Sequence, residues 1–165
     1  MIDLRTIKLV VWDLDETFWI GTISENGGSV EIPIENISLL KKLTDCGIIN
    51  SICSKSDSEI VNSKLEEAEL QDYFVFNSIN WESKSFRLKN MIEQMSLRPQ
   101  NVLFIDDNPS NLAEAKLLIP ELQVCGPSEI PELVKQVSEL PVSDIGHKRL
   151  RQYKVLETKR REEKT

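Results

Sequence analysis

Ile7-Lys8-Leu9-Val10-Val11-Trp12-Asp13-Leu14-Asp15-Glu16-Thr17 is the stretch on which the architecture turns. Residues 7–12 make an apolar, β-branched run of strand length, and such near-continuous hydrophobicity belongs to a strand covered on both faces. The run stops at two carboxylates two positions apart. Side chains alternate along an extended chain, so Asp13 and Asp15 are expected on one side of the strand's carboxyl end. In open α/β sheets, ligands collect at that edge.

The alternation continues downstream. Ile37, Leu40 and Leu43 set a helix stripe over residues 34–46, with Gly47 as its stop. Residues 48–53 (IINSIC) are the expected second strand. Ser56-x-x-Glu59 reads as a capping box opening a helix that turns Val61, Leu65 and Ala68 inward. Strands are expected at 73–77 (YFVFN), 102–105 (VLFI) and 122–125, and helices at 86–95, 110–118 and 130–137. Alternating strands and helices imply a parallel sheet between two helix layers, a three-layer α/β/α Rossmann-like fold. Residues 18–33 break the pattern, with two short β-rich runs around Asn26-Gly27-Gly28 that read as a hairpin flap. The expected organisation is a core over 1–139, with its flap at about 18–33, and a linker and charged C-terminal helix over 140–165. That helix carries Leu150, Tyr153 and Leu156, too thin a stripe for a core of its own.

The chain's 165 residues, 40% of them hydrophobic, suit a single domain. No apolar run reaches the roughly 18 residues a membrane span needs, and the N-terminus lacks a secretory pattern. Cys46, Cys53 and Cys125 form no CxxC pair and read as small buried hydrophobes in a reducing cytoplasm, the expected location. Residues 147–165 hold eight Lys or Arg against three Glu, a balance of +5. With a formal charge of −7 overall, residues 1–146 therefore carry −12. An acidic body repels nucleic acid, so neither nucleic acid nor membrane is an expected partner. A phosphate-handling site on such a body calls for a local cation.

Four strand ends bring chemistry to one edge: Asp13 and Asp15 after the first, Ser54 after the second, Lys84 beyond the third, Asp106-Asp107 after the fourth. Asn108-Pro109 supplies the turn that lets the adjacent acids diverge. Two carboxylates about 4 Å apart repel by roughly 1 kcal/mol in water and about 4 kcal/mol at a dielectric near 20. Several in one cleft require protonation or a cation. Oxygen ligands without His or Cys select Mg²⁺ over zinc, and the lone His147 receives no role. A metal and a lysine to neutralise phosphoryl oxygens, a carboxylate nucleophile and a second carboxylate for proton transfer are the inventory of phosphoryl transfer.

The order of these residues resembles the haloacid dehalogenase-like (HAD) superfamily of phosphatases. Its DxDxT motif stands here as Asp13-Leu14-Asp15-Glu16-Thr17, its Ser/Thr motif as Ser54, its lysine as Lys84 and its acidic pair as Asp106-Asp107. The resemblance covers about residues 7–135. It implies Asp13 as nucleophile and metal ligand. It implies Asp15 as general acid/base, with its backbone carbonyl on the metal. Ser54, Lys84 and the amides of Leu14 and Asp15 would hold the phosphoryl group, Asp107 would bind Mg²⁺ directly, and Asp106 would bind through water or brace the site, with Asn111 in the outer shell. VWDLDETFWIGTISENG, ICSKSD, INWESKS and FIDDNPSN further resemble the FkbH-like branch (HAD subfamily IIIC). That branch implies phosphoglycerate-derived glyceryl units loaded onto carrier proteins, and a second domain beyond the basic helix.

Large caps of the superfamily do not fit between these motifs, since only a flap and one helix separate Asp15 from Ser54. An open site implies a large or carrier-bound phosphorylated substrate, or a second domain or subunit covering it, because this chemistry benefits from excluding water. Phe18, Trp19 and Trp81 are candidates for its rim. Three functions stand at this point: a Mg²⁺-dependent phosphomonoester hydrolase first, an FkbH-like glyceryl transferase second, and a non-enzymatic receiver-type phospho-acceptor third.

Overall fold

The structure, a computed structural model, describes residues 1–25 and 27–164. Five strands, β1 (Leu9–Trp12), β2 (Ile49–Ser54), β3 (Ser78–Ile79), β4 (Val102–Ile105) and β5 (Gln123–Cys125), form one parallel sheet in the order β3-β2-β1-β4-β5. The described helices include α1 (Ile34–Asp45), α2 (Ser58–Glu67), α3 (Lys84–Gln94), α4 (Pro109–Leu118), α5 (Ile130–Ser138) and α6 (Lys148–Glu163). Alternation along β1 sorts the two cores. Val10 and Trp12 pack with residues of α1, α2 and α5, while Leu9 and Val11 pack with α3, α4 and α6. This is the expected three-layer architecture. Its strand order differs from the 2-1-3-4-5 order of receiver-type flavodoxin-like domains, which removes the receiver alternative.

Register aligns the strand ends. Trp12 lies opposite both Ile52 and Ile105, so Asp13 follows at the level of Cys53 and Asp106. The Asp13 amide continues the ladder onto the Ile105 carbonyl at 2.9 Å. Ser54 lies one residue further along β2.

Three local expectations are corrected. YFVFN is not the third strand. It follows β2 only through a Phe74–Asn50 bridge and a Val75 amide bonded to Asn50 O. Phe76 then turns left-handed (φ 55°), with its amide held by Glu157 at 2.7 Å. The Asn77 side chain accepts the Ile52 amide that a ladder carbonyl would otherwise take, and β3 starts only at Ser78. Ser56 does not cap α2. Asp57 does, accepting from the Glu59 and Ile60 amides, because a carboxylate suits the positive end of the helix better. Phe18 and Trp19 are not on a rim. They are fully buried, with Phe18 edge-on to Trp12 and Phe74.

Among the described residues the flap reduces to one antiparallel bridge, Ile20 to Glu31, and buried Ile23 pins it to the core. Its expected turn includes Asn26, which lies outside the described residues. No described helix is long and apolar enough to cross a membrane. The thin stripe of α6 borrows a core: Leu150 is buried, Tyr153 and Leu156 pack on the α3/α4 side, and Arg160 Nε donates to Gln94 O.

Trp12 Nε1 donates to Asn50 Oδ1 at 3.0 Å where both side chains are fully buried. Asn50→Leu leaves that donor unsatisfied and is expected to cost about 1–3 kcal/mol. A urea titration should show a lower midpoint at unchanged slope, and an unmoved midpoint would refute the assigned role.

Candidate active site

The chain leaves β1 at Asp13 and immediately curls. Glu16 adopts φ 58°, and the Leu14 carbonyl accepts the amides of Thr17, Phe18 and Trp19. The curl returns Thr17 beneath Asp13. Thr17 Oγ1 lies 2.9 Å from Asp13 Oδ2 and 3.0 Å from Asp107 Oδ1, and it accepts the Asp107 amide at 3.0 Å. One hydroxyl thus ties the first acidic motif to the last. Sequence reasoning gave Thr17 no role. Its four-residue offset from Asp13 becomes informative only once the curl is known.

Lys84 is the first residue of α3, and its Nζ donates to Asp13 Oδ1 and Asp106 Oδ2, both at 2.7 Å. Asp106 is fully engaged: Oδ2 also accepts from Asn111 Nδ2 at 3.1 Å, and Oδ1 accepts the Asn108 amide at 2.9 Å. Asp107 is exposed. Asn108, not either acid, caps α4 through the Ser110 amide.

Asp13, Lys84, Asp106 and Asp107 therefore converge. Asp15 and Ser54 sit at the same edge with other partners. The chain turns at Leu14 and Asp15 bridges to Trp19, so its carboxylate faces the flap, where Oδ1 accepts from Trp19 Nε1 at 2.8 Å and the Ile23 amide at 3.0 Å. The buried Ser54 hydroxyl lies 2.9 Å from that of Ser56. Trp81 is exposed on the loop before Lys84.

Burial pushes the Asp13 carboxyl up to about 7. Lys84 opposes the rise, and Asp106 and Asp107 add to it. Burial also opposes the charge on Lys84, but the two carboxylates outweigh it and hold the ammonium above its ordinary value. Asp13, Asp106 and Asp107 each offer an oxygen, all within 4.8 Å of one another. Three carboxylates against one ammonium leave two negative charges, which a divalent cation would cancel. All-oxygen donors fit a hard ion such as Mg²⁺.

No family model matches the chain. Human magnesium-dependent phosphatase 1 is 28% identical over 132 residues, 69% of this chain and 75% of that protein. The N-terminal part of BF1531 from Bacteroides fragilis, containing a phosphatase domain complexed with Mg, superposes with a TM-score of 0.70 at 21% identity. That match covers 82% of this chain, which spans only 41% of the Bacteroides chain. A protein from Legionella pneumophila described as a HAD superfamily (subfamily IIIA) hydrolase superposes at 0.60 with 14% identity, over 87% and 88% of the two chains. The chain has the haloacid dehalogenase-like hydrolase fold.

Two outcomes follow from this geometry. The ordinary Asp value lies near 4, so a folded value near 7 means that ionising Asp13 costs stability. The cost is absent below about pH 4, grows as pH rises, and is complete above 7. Without divalent cations, Asp13→Asn should melt several degrees above wild type at pH 8, with the gap closing toward pH 4. Equal melting temperatures at pH 8 would contradict the burial argument. Thr17→Val should weaken divalent-cation affinity about 10–100-fold, as loss of an orienting partner does, and calorimetric titration would show whether it does.

Proposed function

We propose that the chain is a magnesium-dependent phosphatase that hydrolyses a phosphomonoester through an aspartyl-phosphate on Asp13. The observation that carries this reading is the two-sided grip on Asp13, with Lys84 on one oxygen and Thr17 on the other, beside Asp106 and Asp107. Magnesium, when bound, neutralises charge on the phosphoryl oxygens. Asp13, Asp107 and the backbone carbonyl of Asp15 would hold it. Asp106 braces Lys84 and Asn111 or reaches the metal through water.

The chain's residues then divide the work. Lys84, Ser54 and the amides of Leu14 and Asp15 hold the phosphoryl oxygens. Lys84 also aims Asp13, whose carboxylate attacks phosphorus as the ester P–O bond breaks. Asp15, steadied by Trp19 and Ile23, protonates the leaving oxygen. It then takes a proton from the water that attacks the aspartyl-phosphate, releasing inorganic phosphate and restoring Asp13. The identity to magnesium-dependent phosphatase 1 supports the same class. With no cap domain among the described residues, a large or carrier-bound substrate, or a further domain or subunit, excludes water from the open edge.

Purified protein should release phosphate from an aryl phosphate over many turnovers with Mg²⁺ and stop on chelation. Asp13→Asn should lose at least about 10³-fold in kcat, and wild-type turnover in that variant would end the covalent mechanism. Negligible hydrolysis beside rapid consumption of a phosphoglyceryl donor would move the assignment to FkbH-like glyceryl transfer.

A further inference from the structure

We infer that Arg87 is a positioning residue that locks Ser54 and Lys84, the two side chains assigned to the phosphoryl group, into one rigid unit. The inference deepens the phosphatase reading and rests on it.

Arg87 is only 9% exposed, yet no carboxylate pairs with it among the described residues. Its guanidinium gathers backbone carbonyls instead. Nε donates to Ser83 O at 3.3 Å. Nη1 donates to Ser54 O at 3.3 Å, Ser78 O at 2.8 Å and Ser78 Oγ at 2.9 Å. Nη2 donates to Ser54 O at 3.3 Å, Asn80 O at 3.3 Å and Glu82 O at 2.8 Å. Burying a guanidinium on dipoles alone is costly unless every donor is met, and here each is.

The gathered carbonyls have a common meaning. Ser54 O is the last carbonyl of β2. The other four belong to residues 78–83, the segment that delivers the chain to Lys84. β3 has two residues, so its ladder alone holds that segment weakly. Arg87 lies three residues after Lys84 on α3, and residues so spaced share a helix face. The helix fixes Arg87 relative to Lys84, and Arg87 fixes the helix to the end of β2. Lys84 Nζ and the Ser54 hydroxyl come from different elements, and this clamp sets their separation. A lysine at 87 keeps the charge but cannot span the fork of carbonyls from a single ammonium.

Small misplacement of groups that hold the reacting phosphoryl group falls on kcat more than on binding. The test compares Arg87→Lys and Arg87→Ala with wild type and Mg²⁺, using an aryl phosphate, well below each melting temperature. Gln136→Ala serves as control, since it removes bonds to Ile2 O and the Leu4 amide, far from the site. Both Arg87 variants should lose about 10–100-fold in kcat, with KM and the Mg²⁺-dependent affinity for inorganic phosphate changed by no more than about threefold. Added guanidinium ion should restore part of the Arg87→Ala rate. Gln136→Ala should melt lower at unchanged kcat. If Arg87→Ala does not fold, Arg87→Lys decides. Wild-type kcat in Arg87→Lys, with only a lower melting temperature, overturns the inference. Absence of Mg²⁺-dependent turnover in wild type instead sinks the phosphatase reading. In that case the inference, which rests on that reading, falls with it, whereas wild-type kcat in Arg87→Lys beside an active wild type fails the inference alone.

Discussion

One ammonium between two buried carboxylates governs this molecule. Lys84 reaches Asp13 and Asp106 at 2.7 Å each, from an element remote from both in sequence. Without it, the ends of β1 and β4 would hold adjacent carboxylates in a poorly solvated place, where repulsion of several kcal/mol per pair replaces the ~1 kcal/mol felt in water. With it, two negative charges remain uncompensated once Asp107 is included. The centre is stable enough to form and unbalanced enough to favour a divalent cation.

The rest of the fold serves to hold that lysine opposite the two strand ends. Equal register of β1 with β2 and β4 sets Asp13 and Asp106 side by side, so their proximity follows from the sheet alone. Lys84 has no comparable ladder. Its approach depends on the left-handed residue Phe76, held by Glu157 of α6, and on the arginine one turn along α3. Glu16 is also left-handed, directly after Asp15. Such conformations cost of order 1–3 kcal/mol each outside glycine. Of the five such non-glycine residues among those described, these two lie on segments that must leave strand geometry to aim site residues.

These segments also mark where the sequence ceased to be legible. Buried parallel strands announce themselves by unbroken apolar runs, and residues 9–12 and 102–105 are readable for that reason, while 49–54, interrupted by Asn50 and Ser51, are readable from their place in the strand–helix alternation. So were the acids that follow them, because a strand end fixes where the next side chain goes. YFVFN misled because its aromatic side chains are buried through a kink, and hydrophobicity records burial rather than hydrogen bonding. Ser56 misled because its hydroxyl is buried against that of Ser54, which leaves Asp57 to cap the helix. Thr17, although it closes the DxDxT motif, received no role, and Arg87 was not singled out, for a different reason. Each acts on groups brought together only by the tertiary fold, and neither carries a local periodic or turn signal.

The acidic body appears at odds with a phosphorylated ligand, yet the two act over different ranges. At physiological ionic strength, exposed charges are screened over about 8 Å. Most of the −12 borne by residues 1–146 therefore fades before it reaches a bound phosphoryl group. Lys84 is buried, so its field is screened far less, and the cation expected beside it would act at still shorter range. The surface charge then influences how fast an anionic substrate arrives, while the buried charges determine what happens once it is held. Selection on the first leaves the second untouched, so an acidic surface can coexist with phosphoryl chemistry as long as the buried balance around Asp13 is kept.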